Sequence, residues 1–118
     1  MNIKRIVPDI PSIQIEKSKS FYIEFMGLKL EMDMGWVLTF ISKNNPMAQI
    51  TLVKANSKKE LCKNLMVSFE VEDVDKLYQL AIKSQIEIIY EIRNEPWGVR
   101  RFFVKDPNNV TINILGHA

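Results

Sequence analysis

The sequence repeats one order of predicted elements, a strand, a helix and three more strands, and this repetition constrains the fold more than any other feature. In the first half, Lys4 to Pro11 is predicted as a strand and Glu16 to Met26 as a helix. In the second half, Leu65 to Val71 alternates apolar and polar residues as a half-buried strand does, and Asp73 can cap the helix that follows. The pattern predicts two βαβββ units.

Glycine and polar turns separate the remaining predicted strands. Gly27 ends the first helix as a C′ residue, and Gly35 and Asn44-Asn45-Pro46 mark turns. The strands so delimited are Leu28 to Met32, Trp36 to Ser42, Ala48 to Lys54, Ile86 to Tyr90, Val99 to Lys105 and Val110 to Leu115. We therefore expect one α+β domain of 118 residues, with a first unit over 4–54, a linker over 55–64 and a second unit over 65–116.

Composition excludes several classes of function. The chain is 47% hydrophobic and 25% charged, which is typical of a globular domain. No apolar run approaches the roughly 20 residues that span a bilayer, and no signal-peptide core is present. The net charge of +2 is scattered, and the single cysteine, Cys62, permits no internal disulfide. These features predict a cytoplasmic protein that binds neither nucleic acid nor a membrane.

The segment from Glu95 to Ile114 is predicted to form the last hairpin. Its strands are rich in β-branched and aromatic residues, and Asp106-Pro107-Asn108-Asn109 has the chemistry of a type I turn. The run E-P-W-G-x-R-x-F, leading into D-P-N-x and a short apolar strand, resembles the last hairpin of the glyoxalase/bleomycin-resistance/extradiol-dioxygenase superfamily, also called the vicinal oxygen chelate fold. The resemblance covers nearly the whole chain. It implies two curved mixed sheets around a cleft, commonly completed as a homodimer.

The resemblance also allows the metal positions of the superfamily to be projected onto this chain. Metal-dependent members carry four ligands, usually His, Gln or Glu, on the first and last strands of the two units. Here those positions fall on Val7, Thr51, Met66 and Asn113. Valine has no donor atom, a thioether is too soft for magnesium, manganese or zinc, and two neutral oxygens lack charge. We therefore expect no metal and no other cofactor.

Strand alternation sorts the residues of each sheet into two faces. One face is uniformly apolar and is expected under the helices, whereas the other is mixed. The mixed face either forms a small-molecule pocket or is a solvated outer surface. Its candidate ligand contacts are Thr51, Met66, Glu70 and Asn113, and Trp36 and Trp97 are either aromatic walls of the pocket or packing residues.

The length of the last turn decides which arginine joins this face. If Asp106–Asn109 is a four-residue loop, Phe102 faces Asn113 and Arg100 shares the face, whereas Arg101 points away. One extra loop residue reverses that assignment. Arg100 also matches the arginine of the superfamily pattern. We therefore predict Arg100 and Phe102 as ligand contacts.

Arg100 has a structural alternative, which is an ion pair with Glu95 or Glu70 that fixes the loop. Glu70 is also the only candidate catalytic residue, because a buried carboxylate can act as a lone general base. Cys62 has no visible activating partner.

Three functions stay open on the sequence. The first is a metal-free, homodimeric binding protein that sequesters or senses a neutral or anionic small molecule. The second is an enzyme of the superfamily with an atypical site, such as a lyase, isomerase or dioxygenase-like protein. The third is a dimeric scaffold. Resistance to bleomycin, a cation, is disfavoured because the chain is slightly basic.

Overall fold

The computed structural model describes all 118 residues and contains the predicted βαβββ order twice. In the first unit, β1 spans Asp9–Ser12, α1 Ile15–Ser20 with a π-helical continuation over Phe21–Phe25, β2 Lys29–Asp33, β3 Val37–Ser42 and β4 Asn45–Lys54. In the second unit, β5 spans Met66–Glu70, α2 Val74–Lys83, β6 Ile88–Asn94, β7 Val99–Lys105 and β8 Thr111–His117. A short 3₁₀ turn, Lys58–Glu60, lies in the predicted linker.

Each unit contains one four-stranded mixed sheet with the same topology. The strand order is β1-β4-β3-β2 in the first sheet and β5-β8-β7-β6 in the second. The first and last strands of a unit pair in parallel, and the other pairs are antiparallel. The predicted α+β fold with repeated βαβββ units is thus confirmed. The chain divides into compact units over Met1–Cys62 and Lys63–Ala118.

The first unit packs its helical segment against one face of its sheet. The ring of Tyr22, which is fully buried, lies 5.7 Å from the ring of Phe40 on β3. Gly27 adopts a φ of 73°, and the Leu28 amide donates to the Tyr22 carbonyl, so the predicted glycine terminus is confirmed.

The second unit repeats this arrangement. The Asp73 carboxylate accepts a hydrogen bond of 3.0 Å from the Lys76 amide, which confirms the predicted helix cap. Tyr78 packs edge-on against Phe102 of β7, with 5.0 Å between the ring centres. A methyl group added at Gly116 of β8 would lie 3.1 Å from the Val71 carbonyl oxygen, so the sheet and the segment before α2 approach closely. Neither unit contains a helix long and apolar enough to cross a membrane.

Two strand boundaries near prolines differ from the prediction. β1 begins at Asp9 rather than Lys4, since Pro8 has no amide hydrogen and contributes only its carbonyl, which accepts from the Thr51 amide. β4 begins at Asn45, so part of the predicted turn belongs to the strand. Pro46 is tolerated there because the pairing of β3 with β4 shifts register around it.

Candidate functional site

The turn between β7 and β8 fixes which side chains share a face. Asp106 Oδ1 accepts hydrogen bonds of 2.8 Å from the amides of Asn108 and Val110, and Asn109 adopts a left-handed φ of 67°. A type I turn followed by a left-handed residue makes a three-residue loop. Asp106 and Val110 therefore close the hairpin as a pair, and the loop consists of residues 107–109. The predicted four-residue loop is wrong.

The shorter loop moves the register by one residue. Phe103 lies opposite Asn113, and Phe102 lies opposite Ile114. Because a shift of one residue exchanges the two faces of a strand, Arg101 joins the face of Asn113 and Arg100 joins the face covered by α2. The prediction of Arg100 and Phe102 on the mixed face is therefore corrected.

Arg100 has a structural partner that the sequence did not indicate. Its Nη2 and Nε atoms lie 2.9 and 3.0 Å from the two carboxylate oxygens of Asp75, on the first turn of α2, and Nη1 donates to Asn94. The ion pair therefore forms with Asp75 rather than with Glu95 or Glu70. Hydrogen bonding to Arg100 lowers the pKa of Asp75. Phe102 is fully buried under α2.

Arg101 lies on the opposite face, among three aromatic rings. Its guanidinium carbon is 4.8 Å from the ring centre of Phe103, 5.0 Å from that of Trp97 and 5.2 Å from that of Tyr90. The rings of Tyr90 and Phe103 also stack on each other at 4.5 Å. Guanidinium groups bind favourably to aromatic faces. We call Arg101 with Tyr90, Trp97 and Phe103 the arginine–aromatic cluster.

A buried carboxylate holds the cluster in place. The side chain of Glu95 is 3% exposed and accepts hydrogen bonds of 2.6 Å from the Tyr90 hydroxyl and 2.7 Å from Arg101 Nε. Arg93 Nε approaches its other oxygen at 3.0 Å. These interactions lower the pKa of Glu95, and the hydrogen bond from Tyr90 has the largest effect. Burial acts in the opposite direction and raises the pKa.

The loop of the β6–β7 hairpin carries Trp97 to the edge of the cluster. The Glu95 amide donates to the Val99 carbonyl at 2.7 Å, and Gly98 turns the chain with a φ of 94°. Trp97 is 64% exposed even though its ring contacts Arg101. One large ring of the cluster therefore remains open to solvent.

Asn113 and Ser68 continue the same face on the neighbouring strands. Asn113 is only 6% exposed and donates from Nδ2 to Ser68 Oγ at 3.0 Å. Met66 and Glu70 share this face of β5 and are exposed. Glu70 lies 3.5 Å from His117 and its side chain is 65% exposed, so it lacks the burial that its predicted role as general base requires.

The first unit has its own shallow groove on the face opposite its helix. Thr51 lies there, with its hydroxyl 3.5 Å from that of Thr39, and Trp36 stands 61% exposed in the β2–β3 turn. The groove has a volume of about 380 Å³, and its lining consists of Arg5, Val7, Asp9, Glu31, Met32, Thr39, Gln49 and Thr51.

The residues at the projected metal positions do not fit a hard cation. Val7 and Thr51 line the groove of the first unit, and Met66 and Asn113 lie on adjacent strands of the second. None of the four contributes a carboxylate, which supplies the negative charge of sites for such ions, or an imidazole, which is a common ligand of transition metals. No group of three or more His, Cys, Asp or Glu side chains is arranged to hold a metal.

The arginine–aromatic cluster was not predicted from the sequence. The predicted register placed Arg101 on the wrong face, and no role was predicted for Tyr90 or Phe103. The available signal was Asn109, because asparagine tolerates the left-handed conformation that closes a three-residue loop. Glu95 was considered only as a partner of Arg100, whereas it holds Arg101.

The fold and its mixed sheet faces define a class of protein built from two βαβββ units. Within this class, the chain belongs to the family of the glyoxalase-like domain, whose sequence pattern matches residues 7–117. This match confirms the superfamily that the last hairpin indicated. No curated protein matches the sequence.

Solved structures share the fold at low sequence identity. A member of the glyoxalase/bleomycin resistance protein/dioxygenase superfamily from Sphaerobacter thermophilus has a TM-score of 0.82 and 16% identity, with 99% of each chain covered. A bleomycin resistance determinant encoded on the transposon Tn5 has a TM-score of 0.76 and 12% identity, with 98% of each chain covered. A lactoylglutathione lyase from Agrobacterium tumefaciens has a TM-score of 0.75 and 14% identity, covering 98% of this chain and 95% of its own. At these identities the likeness shows the fold alone.

Proposed function

We propose that this member of the family is a metal-free binding protein that sequesters or senses a small, planar, anionic organic molecule. The observation that carries the proposal is the arginine–aromatic cluster on the open face of the second sheet. The cluster combines one delocalised cation with three aromatic rings, a combination that suits a small planar anion.

The cluster favours a flat carboxylate over other ligands. A guanidinium forms two parallel hydrogen bonds with a carboxylate, and its plane is already held by Glu95 through Nε. The exposed ring of Trp97 offers a stacking surface beside it. Because the side chains are positioned before a ligand arrives, little conformational entropy is lost on binding.

The absence of suitable metal ligands at Val7, Thr51, Met66 and Asn113 supports the metal-free part of the proposal. The exposure of Glu70 argues against the alternative of a lyase, isomerase or dioxygenase-like enzyme that uses this residue as a base. A bleomycin-type cation is disfavoured because Arg93 and Arg101 place positive charge at the site. Met66 and Trp97 remain proposed ligand contacts in the second unit, and Thr51 and Trp36 remain proposed contacts in the first unit, taken by itself.

We also propose that the protein is a homodimer. Strands β1, β2, β5 and β6 each have a neighbour on one side only, and unpaired edges are commonly covered by another chain. Apolar side chains are exposed on β2 and in the turn that follows it, namely Met32, Met34 and Trp36. Light scattering is expected to give twice the chain mass of 13.7 kDa, and a mass of 13.7 kDa at micromolar concentration contradicts the proposal.

Benzoate is a suitable probe of the binding site, with the indole N–H of Trp97 followed by NMR. Arg101→Ala is expected to weaken benzoate binding by about 1.5–3 kcal/mol, the range for a hydrogen bond to a charged group. Arg100→Ala is the matched control, because Arg100 lies on the other face and is expected to leave the affinity unchanged. Equal effects of the two substitutions, or no binding of any aromatic acid, contradict the proposed function.

A further inference from the structure

The side chain of Asn113 contains a buried acceptor that no group of the protein satisfies. Its Nδ2 donates to Ser68 Oγ at 3.0 Å, whereas its Oδ1 is buried without a hydrogen-bond partner. A buried carbonyl oxygen that lacks a donor retains its full desolvation penalty, and such atoms are rare in folded proteins. Asn113 therefore carries an acceptor whose hydrogen bonding the chain itself leaves incomplete.

This oxygen belongs to the face of the arginine–aromatic cluster. Asn113 lies directly opposite Phe103 in the β7–β8 ladder. The guanidinium carbon of Arg101 lies over the Phe103 ring, 4.8 Å from its centre. Side chains of directly opposed residues in antiparallel strands start about 5 Å apart. Arg101 pairs with Leu115, so Arg101 and Asn113 are diagonal neighbours on one sheet face, a relationship that typically separates residues by about 7–8 Å.

The polarity of the unpaired atom restricts what it accepts. Because the Asn113 amide N–H is engaged by Ser68, the atom left over is an acceptor only. A ligand hydroxyl or amino group satisfies it, whereas an ether or a second carboxylate places two acceptors in contact. A site built around a buried acceptor discriminates strongly against ligands that lack the donor.

We propose that Asn113 determines the specificity of this site and selects planar carboxylates that carry an O–H or N–H donor at the end remote from the carboxylate. The inference rests on the proposed function, in which Arg101 engages the carboxylate. Asn113 Oδ1 then accepts a hydrogen bond from the remote donor of the ligand. The rings of Tyr90 and Phe103 contact the ligand's own ring, which lies between its carboxylate and its donor. The ligand class is a hydroxy- or amino-substituted aromatic acid.

Three matched probes test the proposal: benzoate, para-hydroxybenzoate and para-methoxybenzoate, of which only the second carries a donor. The wild-type protein is expected to bind the hydroxy compound about tenfold more tightly than the methoxy compound. Asn113→Leu keeps the branched shape of the side chain, removes the acceptor and is expected to reduce this ratio to near one. Thr111→Val, on the same strand and face, is the control that keeps the ratio.

The outcomes separate this inference from the proposed function. Benzoate binding that depends on Arg101 but shows no preference for the hydroxy compound overturns the role of Asn113 and leaves the binding function standing. A preference for the methoxy compound also overturns it. Failure of all three probes to bind overturns both the role of Asn113 and the proposed binding function. If Asn113→Leu does not fold, the affinities of the wild-type protein test the proposal. The wild-type protein must then bind both para-hydroxybenzoate and para-aminobenzoate more tightly than para-methoxybenzoate, and any other order overturns the proposal.

Discussion

The guanidinium of Arg100 and the carboxylate of Asp75 meet through N–O distances of 2.9 to 3.2 Å and join β7 to the first turn of α2. Arg100→Ala is expected to lower the melting temperature by a few degrees, since partly exposed ion pairs contribute modestly to stability. Bonding lowers the pKa of Asp75 below its ordinary value of 3.8. The contribution is therefore present above about pH 4 and is lost as the pH falls through the folded-state pKa. A deficit that does not shrink as the pH falls below 3.8 contradicts this account.

Glu95 is expected to control the orientation of Arg101. Glu95→Gln removes the charge that Arg101 Nε bonds, and we expect benzoate affinity to fall about tenfold as the guanidinium loses its fixed plane. The pKa of Glu95 is lowered from 4.5 in the folded state. Its stabilising effect is therefore present above that value and disappears on acidification through the folded-state pKa. Thermal melts of Glu95→Gln and wild type at a series of pH values measure this. A difference between the two proteins that grows on acidification contradicts the assignment.

Phe102 and Phe103 are neighbours in sequence with opposite roles. Phe102 is fully buried, and Phe102→Ala is expected to cost about 3–5 kcal/mol in the free energy of unfolding. Phe103 is only partly buried, so Phe103→Ala is expected to cost less in stability and to weaken benzoate binding. Urea unfolding measures the stability of both variants, and NMR titration measures their affinity for benzoate. Reversed effects contradict the observed register.

Asn109 closes the last turn in a conformation that most residues resist. Its φ of 67° is left-handed, and a β-branched side chain there costs about 1–2 kcal/mol. Asn109→Val is therefore expected to lower the free energy of unfolding by that amount, whereas Asn109→Gly is expected to be close to neutral. Chemical denaturation compares the two. Equal losses in both variants contradict the role of the backbone conformation.

Elemental analysis of protein purified without a histidine tag is expected to find far less than one metal ion per chain. The reason is the chemistry of Val7, Thr51, Met66 and Asn113, which offers no charged ligand. Added nickel, zinc or manganese is also expected to leave the melting temperature unchanged. One stoichiometric equivalent of any of these metals contradicts the metal-free proposal.

The sequence predicted the order of elements and the sorting of most faces, because apolar periodicity and capping residues act locally. Asp73 and Gly27 are examples in which one side chain or one backbone preference determines a helix end. The site was harder to predict because it depends on register. Whether Arg100 or Arg101 lies on the face of Asn113 depends on the length of the last loop, which the left-handed residue Asn109 determines. Sequence patterns predict that a turn is present better than they predict its length.

The partner of Arg100 shows a second limit of prediction. Asp75 is 25 residues away in sequence and comes within hydrogen-bond distance only when α2 packs on β7. No local pattern encodes that approach. The Asn113 oxygen is similar, since its lack of a partner is a property of the packed sheet rather than of the residue type.

The strand Arg100-Arg101-Phe102-Phe103 consists of two identical pairs, and this has a consequence for folding. A slip of one residue would move Arg100 and Phe102 to the face of Asn113 and would move Arg101 and Phe103 to the covered face. Over these four residues each face would still carry one arginine and one phenylalanine, so their composition discriminates weakly against the misaligned form. The choice is made at its two ends, by Asp106 and by Glu95, and weakening both is expected to populate a misregistered hairpin as a kinetic trap.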